Sequence, residues 1–257
     1  MPDDAAGVRY TVLDSTDSVD ENRLPDFYAY PDNLQSCWLR GNMIASLDGG
    51  ATADGKSGSL AGPGDRAVFA EMRQLADVIL VGAGTVRSEN YSGAQLSPAQ
   101  RQARQRRGQD EVPPIAVVTN RAALHHDARI FTRTEVAPLI LTSAEAVPDA
   151  QSRLGSVAEI IDASGPHPDG VDAATVLKIL AERRLLRVLA EGGPRFLGSL
   201  IEQDLLDELC LTIAPLLVGG GARRIATGPG QVHTRMRRSH LLTDEAGYLY
   251  TRYVRGG

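Results

Sequence analysis

Two glycine turns, each directly after an apolar run, are the segments of this 257-residue chain best suited to chemistry. Val78-Ile79-Leu80-Val81 opens into Gly82-Ala83-Gly84-Thr85, and Leu186-Arg187-Val188-Leu189-Ala190 opens into Glu191-Gly192-Gly193-Pro194-Arg195-Phe196. Residues without a Cβ let backbone N–H groups come close to a ligand, and a helix starting after such a turn offers its positive end to an anion. Either turn alone is more often structural, and the first lacks the third glycine of the dinucleotide fingerprint. Together, at two strand ends, they suggest a phosphate-bearing cofactor at the C-terminal edge of an α/β sheet. A third apolar run ends at Val118 and continues as Thr119-Asn120-Arg121, two polar groups and a cation. The forked guanidinium of Arg121 suits a phosphate monoester. No acidic residue stands where it would grip a free ribose 2′-hydroxyl, which favours NADPH over NADH.

These segments need a sheet to hold them. Apolar or alternating runs predict strands at 37–46, 78–81, 115–119, 138–142, 158–161, 186–190 and 208–214, with an edge or hairpin strand at Tyr248–Val254. Helical spacing of Val68, Phe69, Met72 and Leu75 follows Pro63 and Gly64, where Asp65 can cap the exposed N–H groups. Further helices fit 172–183 and 194–204. Strand–helix alternation with near-continuous apolar strands predicts a mainly parallel sheet covered on both faces. Residues 1–33, with Asp14, Asp17, Asp20 and Glu21 among few apolar residues, form an N-terminal extension to a single domain over 34–257.

Composition narrows the partners. A net charge of −5 gives no reason to expect nucleic acid or an anionic membrane. No apolar run approaches the roughly 20 residues of a membrane span, and no secretory signal is visible. Cys37 and Cys210 make neither a disulfide framework nor a metal site and fit a reducing cytoplasm. Adjacent His125 and His126 cannot share a helix face, so no metal is expected. Arg101, Arg104, Arg106 and Arg107 read as a solvated helix face, and Trp38, Tyr28 and Tyr30 as core or subunit-contact residues.

Motif order adds a resemblance. Asn42-Met43-Ile44-Ala45-Ser46-Leu47-Asp48-Gly49, then Met72-Arg73 leading into Val78–Thr85, then Glu191-Gly192-Gly193, then Ile213-Ala214-Pro215 with Gly219-Gly220, resemble the reductase domain of riboflavin biosynthesis across residues 37–254. The resemblance implies a dihydrofolate-reductase-like α/β fold: a mainly parallel central sheet flanked by helices, with antiparallel C-terminal strands. It also implies NADPH as hydride donor, a small-molecule substrate, usually a homodimer, and reduction of a ribosylamino-uracil phosphate to its ribityl counterpart. By residue, it gives cofactor contacts to Thr85 and Glu89 (where the family usually has Asp), and the pyrophosphate turn to Gly192, Gly193, Pro194, Arg195 and Phe196; the first glycine turn and the third strand end add Gly82, Gly84, Val118, Thr119, Asn120 and Arg121 as candidate cofactor contacts. Asn42, Ser57, Arg73 and Glu191 match positions near the substrate, with Asp48 as a neighbour. Asn42 stands where many members carry Lys, and Ser88-Glu89-Asn90-Tyr91-Ser92-Gly93 replaces the usual Asp-Asp-Pro-x-Leu-Thr that helps hold a phosphoribosyl group.

A second likeness is to dihydrofolate reductases. Pro63-Gly64-Asp65-Arg66-Ala67-Val68-Phe69 is similar to the Pro-x-Asp-x-x-x-Phe opening of their substrate helix, which implies Asp65 as proton-managing carboxylate and Phe69 as a ring-packing residue. The candidate catalytic residues are therefore Asp65, Asn42 and Glu191. Three readings follow: a 5-amino-6-(5-phosphoribosylamino)uracil reductase first, a dihydrofolate reductase second, and a non-catalytic NADPH-binding protein third.

Overall fold

Val78–Gly82 is buried along its whole length, so both of its faces are covered, as in a central strand of a parallel sheet. In the computed structural model, which describes residues 19–256, this strand belongs to a nine-stranded sheet. The strands are β1 (Trp38–Ser46), β2 (Val78–Gly82), β3 (Ile115–Thr119), β4 (Leu139–Thr142), β5 (Glu159–Asp162), β6 (Arg187–Ala190), β7 (Glu208–Ala214), β8 (Met236–Thr243) and β9 (Leu249–Arg255). Their order is β5-β4-β3-β2-β6-β1-β7-β9-β8. Strands β1 to β7 run parallel, while β9 is antiparallel to both β7 and β8. The helices are α1 (Leu24–Tyr28), α2 (Pro63–Leu75), α3 (Ala83–Ser88), α4 (Pro98–Arg106), α5 (Arg129–Thr132), α6 (Val147–Leu154), α7 (Ala173–Glu182) and α8 (Pro194–Glu202).

The chain walks outward from β2 to β5, then returns to insert β6 between β2 and β1. Crossovers on either side of that insertion diverge, which opens a crevice at the C-terminal ends of the strands. One sheet face carries Val68, Met72 and Leu75 of α2, and the other carries Val176 and Leu180 of α7 with Leu197 and Leu200 of α8. Sequence signals start several helices where expected. Ser97 and Gln100 form a reciprocal capping box on α4, and Asp172 accepts from the Thr175 amide at 2.8 Å to begin α7.

The structure corrects three local expectations. Of the edge and hairpin alternatives for 248–254, the hairpin holds: the strand pairs antiparallel with β8 and lies between β7 and β8, and the outer position belongs to β8. Its backbone groups are used on both sides, so it cannot pair with a second chain. Helix α2 begins at Pro63, and Asp65 sits inside its first turn and is not the cap, which is Gly62. Arg104 is buried rather than solvated; its guanidinium donates to the carbonyls of Gln74 and Ala76, and Arg107 also reaches Gln74. Those carbonyls end α2 without helical partners, and buried orphans need donors. Of the two places expected for Tyr28 and Tyr30, the core is the one they take. Residues 1–18 of the expected extension lie outside the described residues.

Candidate active site

The two glycine turns meet. The Gly82 amide donates to the Gly192 carbonyl at 3.2 Å, and a Cβ built on Gly193 would lie 3.3 Å from the Gly82 Cα. Gly192 and Gly193 take φ values of +112° and +92°, a region side-chain-bearing residues rarely adopt. The glycines thus bring β2 and β6 to one cradle, with the Thr85 hydroxyl beside Gly192. Helix α8 starts at Pro194 with no side chain capping it, so its first N–H groups stay open to an anion.

The cradle is the floor of a cleft of about 1230 Å³ that crosses the ends of β3, β2, β6 and β1. That exceeds the usual volume for one small ligand and leaves room for a cofactor and an acceptor together. At the β3 end it is lined by Val118, Thr119, Asn120 and Arg87; Arg121 is exposed and is not part of the lining. Asn120 is fixed from two sides, its side chain accepting from the Val171 amide and its carbonyl from Ser143. The β1 end is lined by Asn42, Ser57, Asp65 and Phe69.

Of the three carboxylates that line this cleft, Asp65, Glu89 and Glu191, the first and last sit in opposite surroundings. Both oxygens of Glu191 accept from the Arg73 guanidinium, each at 2.7 Å, and one also accepts from the Tyr91 hydroxyl. Arg73 in turn lies over the Phe69 and Tyr91 rings, 4.3 and 5.3 Å from their centroids. The Glu191 carboxylate raises Arg73 further, and burial drives the Tyr91 phenol well above its ordinary range. Asp65 has no such cation. Burial pushes its carboxyl up, offset only in part by Thr212 and Arg66.

Two other expected residues act as ties. Glu89 accepts from both the amide and the hydroxyl of Ser57, at 2.9 and 3.0 Å, and so fastens the loop after β1 to the end of α3 beside the cleft. Asp48 does not line the cleft. It accepts from the Ser46 hydroxyl and from the amides of Val218 and Gly219, which hold its carboxyl down at about 2 and clasp the loop after β7. His125, His126 and Asp127 form an exposed group away from the cleft.

The family model for the RibD C-terminal domain matches residues 37–250. The chain belongs to that family. Its members are oxidoreductases of riboflavin biosynthesis, a chemistry that takes a nicotinamide cofactor. The 2,5-diamino-6-ribosylamino-4(3H)-pyrimidinone 5′-phosphate reductase of Archaeoglobus fulgidus is 29% identical over 180 residues, covering 70% of this chain and 80% of that one. Riboflavin biosynthesis protein RibD of Bacillus amyloliquefaciens is 30% identical over 178 residues, 68% of this chain and 45% of its own length. The chain spans about half the length of the RibD proteins it matches. Among solved structures, a pyrimidine reductase-like protein from Corynebacterium diphtheriae superposes with a TM-score of 0.77 at 26% identity, covering 86% of this chain and 92% of that one. The riboflavin biosynthesis reductase of Saccharomyces cerevisiae, 16% identical with a TM-score of 0.67 over 91% of this chain and all of that one, shares the fold.

Within this RibD-type chain, some site residues escaped sequence reasoning. Thr212 of β7 faces Asp65 although 147 positions separate them in sequence, and only tertiary folding brings them together. The β8–β9 turn closes on the same point: Asp244 accepts from the Tyr250 hydroxyl at 2.6 Å, and Tyr248 donates to the Leu60 carbonyl at 3.0 Å. A Cβ on Gly64 would stand 2.2 Å from the Tyr250 oxygen, so Gly64 is what lets the C-terminal hairpin seat against the start of α2. Tyr91 had a signal, because it lies in the segment that departs from the family pattern.

Proposed function

We propose that this chain is an NADPH-dependent reductase acting on a pyrimidine, with 5-amino-6-(5-phosphoribosylamino)uracil as its first-choice substrate. The reading is carried by one observation: a cleft with a Cβ-free cradle at its middle also holds a desolvated carboxyl, Asp65, at one end. The cradle fits a diphosphate, since Gly82, Gly192 and Gly193 leave backbone and helix N–H groups uncovered by side chains. When bound, the reduced nicotinamide supplies a hydride. Asp65 holds the matching proton and delivers it to the nitrogen next to the carbon being reduced. Both oxygens of Glu191 are engaged by Arg73, so it acts by positioning the substrate end of the cleft. Asn42 offers a neutral amide from β1 to the acceptor. Most of the rate then comes from holding donor and acceptor together away from water.

The second reading, reduction of dihydrofolate, is favoured by Asp65 and Phe69 lining the cleft on one helix, and by Tyr91 occupying the segment where relatives hold a phosphoribosyl group. Loss of reduced-nicotinamide absorbance with each acceptor separates the two. Turnover of the ribosylamino-uracil phosphate is expected; turnover of dihydrofolate alone would replace the first reading by the second. Tight NADPH binding without reduction of either would leave only the non-catalytic reading. Cytoplasmic residence and a homodimer complete the proposal. Among the described residues no helix is long and apolar enough to cross a membrane, and the two edges of the sheet are β5 and β8. A one-chain mass by sedimentation would remove the dimer.

A further inference from the structure

Four arginines line the cleft: Arg66, Arg87, Arg195 and Arg223. Their places differ. Arg66 follows Asp65 at the acceptor end, Arg195 is in the first turn of α8 beside the cradle, and the Arg223 carbonyl pairs with the amide of Ala51 on the β1 side. Arg87 alone of the four stands toward β3. It projects from α3, and its Nη1 donates to the Ala123 carbonyl at 3.1 Å, four residues after the β3 strand ends. That bond occupies one edge of the guanidinium and leaves the edge formed by Nε and Nη2 for another acceptor.

The cleft gives that position a meaning. From β3 to β1 there are three strand intervals, on the order of 14 Å at the spacing of neighbouring strands. With the hydride-accepting end beside Asp65 and the diphosphate at the glycine cradle, the remaining length toward β3 is where the second ribose of a dinucleotide lies. Thr119 and Asn120 present polar groups there, and Asn120 is held rigid by Val171 and Ser143. Neither can balance a doubly charged phosphate. A cation is required, and the sequence pattern points to Arg121, which is outside the lining.

We infer that Arg87, rather than Arg121, reads the 2′-phosphate at the β3 end of the cleft and so selects NADPH over NADH. This rests on the nicotinamide reading above and adds the residue that sets cofactor choice. A guanidinium recognises a phosphate monoester by two parallel N–H bonds, and its loss removes affinity only for the nucleotide that carries the phosphate. Glu89, two residues further on, is tied through one carboxylate oxygen to the amide and hydroxyl of Ser57.

The test is a fluorescence titration of the whole chain with NADPH, NADH and 2′,5′-ADP, for the wild type and for Arg87→Gln, Arg87→Lys and Arg121→Gln. Arg87→Gln is expected to weaken NADPH and 2′,5′-ADP by about 10- to 100-fold while NADH binding stays in place, and Arg87→Lys to recover part of the loss. Circular dichroism confirms that each variant is folded. An equal loss for NADPH and NADH in Arg87→Gln would reduce Arg87 to a brace for the 121–123 turn and overturn the proposal. So would a phosphate-selective loss found in Arg121→Gln instead, or equal wild-type affinity for the two dinucleotides. In those cases the reductase reading survives. Binding of neither dinucleotide by the wild type would remove both.

Discussion

Helix α2 contributes to both ends of a contrast. Near its start, Asp65 enters the cleft with only Thr212 and the neighbouring Arg66 charge to offset its burial. Two turns later Arg73 leaves the same helix to clamp Glu191, a carboxylate with two guanidinium bonds and a phenol. Identical chemistry, a carboxyl group facing one cavity, is pushed toward opposite uses. A buried acid with no guanidinium fork holds its proton above the ordinary carboxylate range, while one gripped by a fork is placed to orient its neighbours. Their environments, not their identities as Asp and Glu, separate donor from anchor.

The largest effect that would break this contrast is at Asp65. Asp65→Asn keeps size and hydrogen-bonding capacity but removes the proton supply. Turnover is expected to fall about 10²- to 10⁴-fold, with nucleotide affinity by titration left as it was. The pH profile sharpens the point. Burial raises the Asp65 carboxyl, so the protonated donor persists above the ordinary carboxylate range. The wild-type rate is expected to decline as pH climbs through that raised value, and the Asn variant to lose this limb. A wild-type profile without it would make Glu191 and Asp65 equivalent again.

Next in size is Arg73→Met. The Glu191 side chain is 1% exposed and its partner 15%, so the substitution strands a buried charge. Urea unfolding is expected to register a loss of about 3–5 kcal/mol. Loss of less than one would mean that the fork is not what holds Glu191. Tyr91→Phe is the mildest. Arg73 still satisfies both oxygens, and only one charged hydrogen bond goes, for about 1.5 kcal/mol by the same measurement. A larger rise in KM for the acceptor than in the stability loss would show that Tyr91 also touches substrate.

Much of the scaffold was legible because its signals are local. Val78–Val81 and Val188–Ala190 are too continuously apolar to be anything but strands covered on both faces, and the glycines after them announce turns that no side chain fits. Strand β8 carried no such signal. Met236-Arg237-Arg238-Ser239-His240 lies on the outer edge with exposed arginines, and an edge strand shows its polarity to water instead of alternating toward a core. Missing it made β9 look like the edge. Arg104 misled for a related reason. Its sequence neighbours are solvated, but the carbonyls it satisfies belong to another helix.

By itself, then, the order of residues determined all the strands but β8, the glycine turns, the family and many of the polar groups near the cleft, because periodicity, glycine and proline act over a few bonds. Only the tertiary structure decided how those groups divide the work. It set Thr212 across from Asp65, closed Arg73 and Tyr91 on Glu191, seated the C-terminal hairpin over Gly64, and put Arg87 rather than Arg121 on the cleft. Each of those pairings joins residues from separate elements. Desolvation and charge are properties of the space they share, which no single stretch of chain contains.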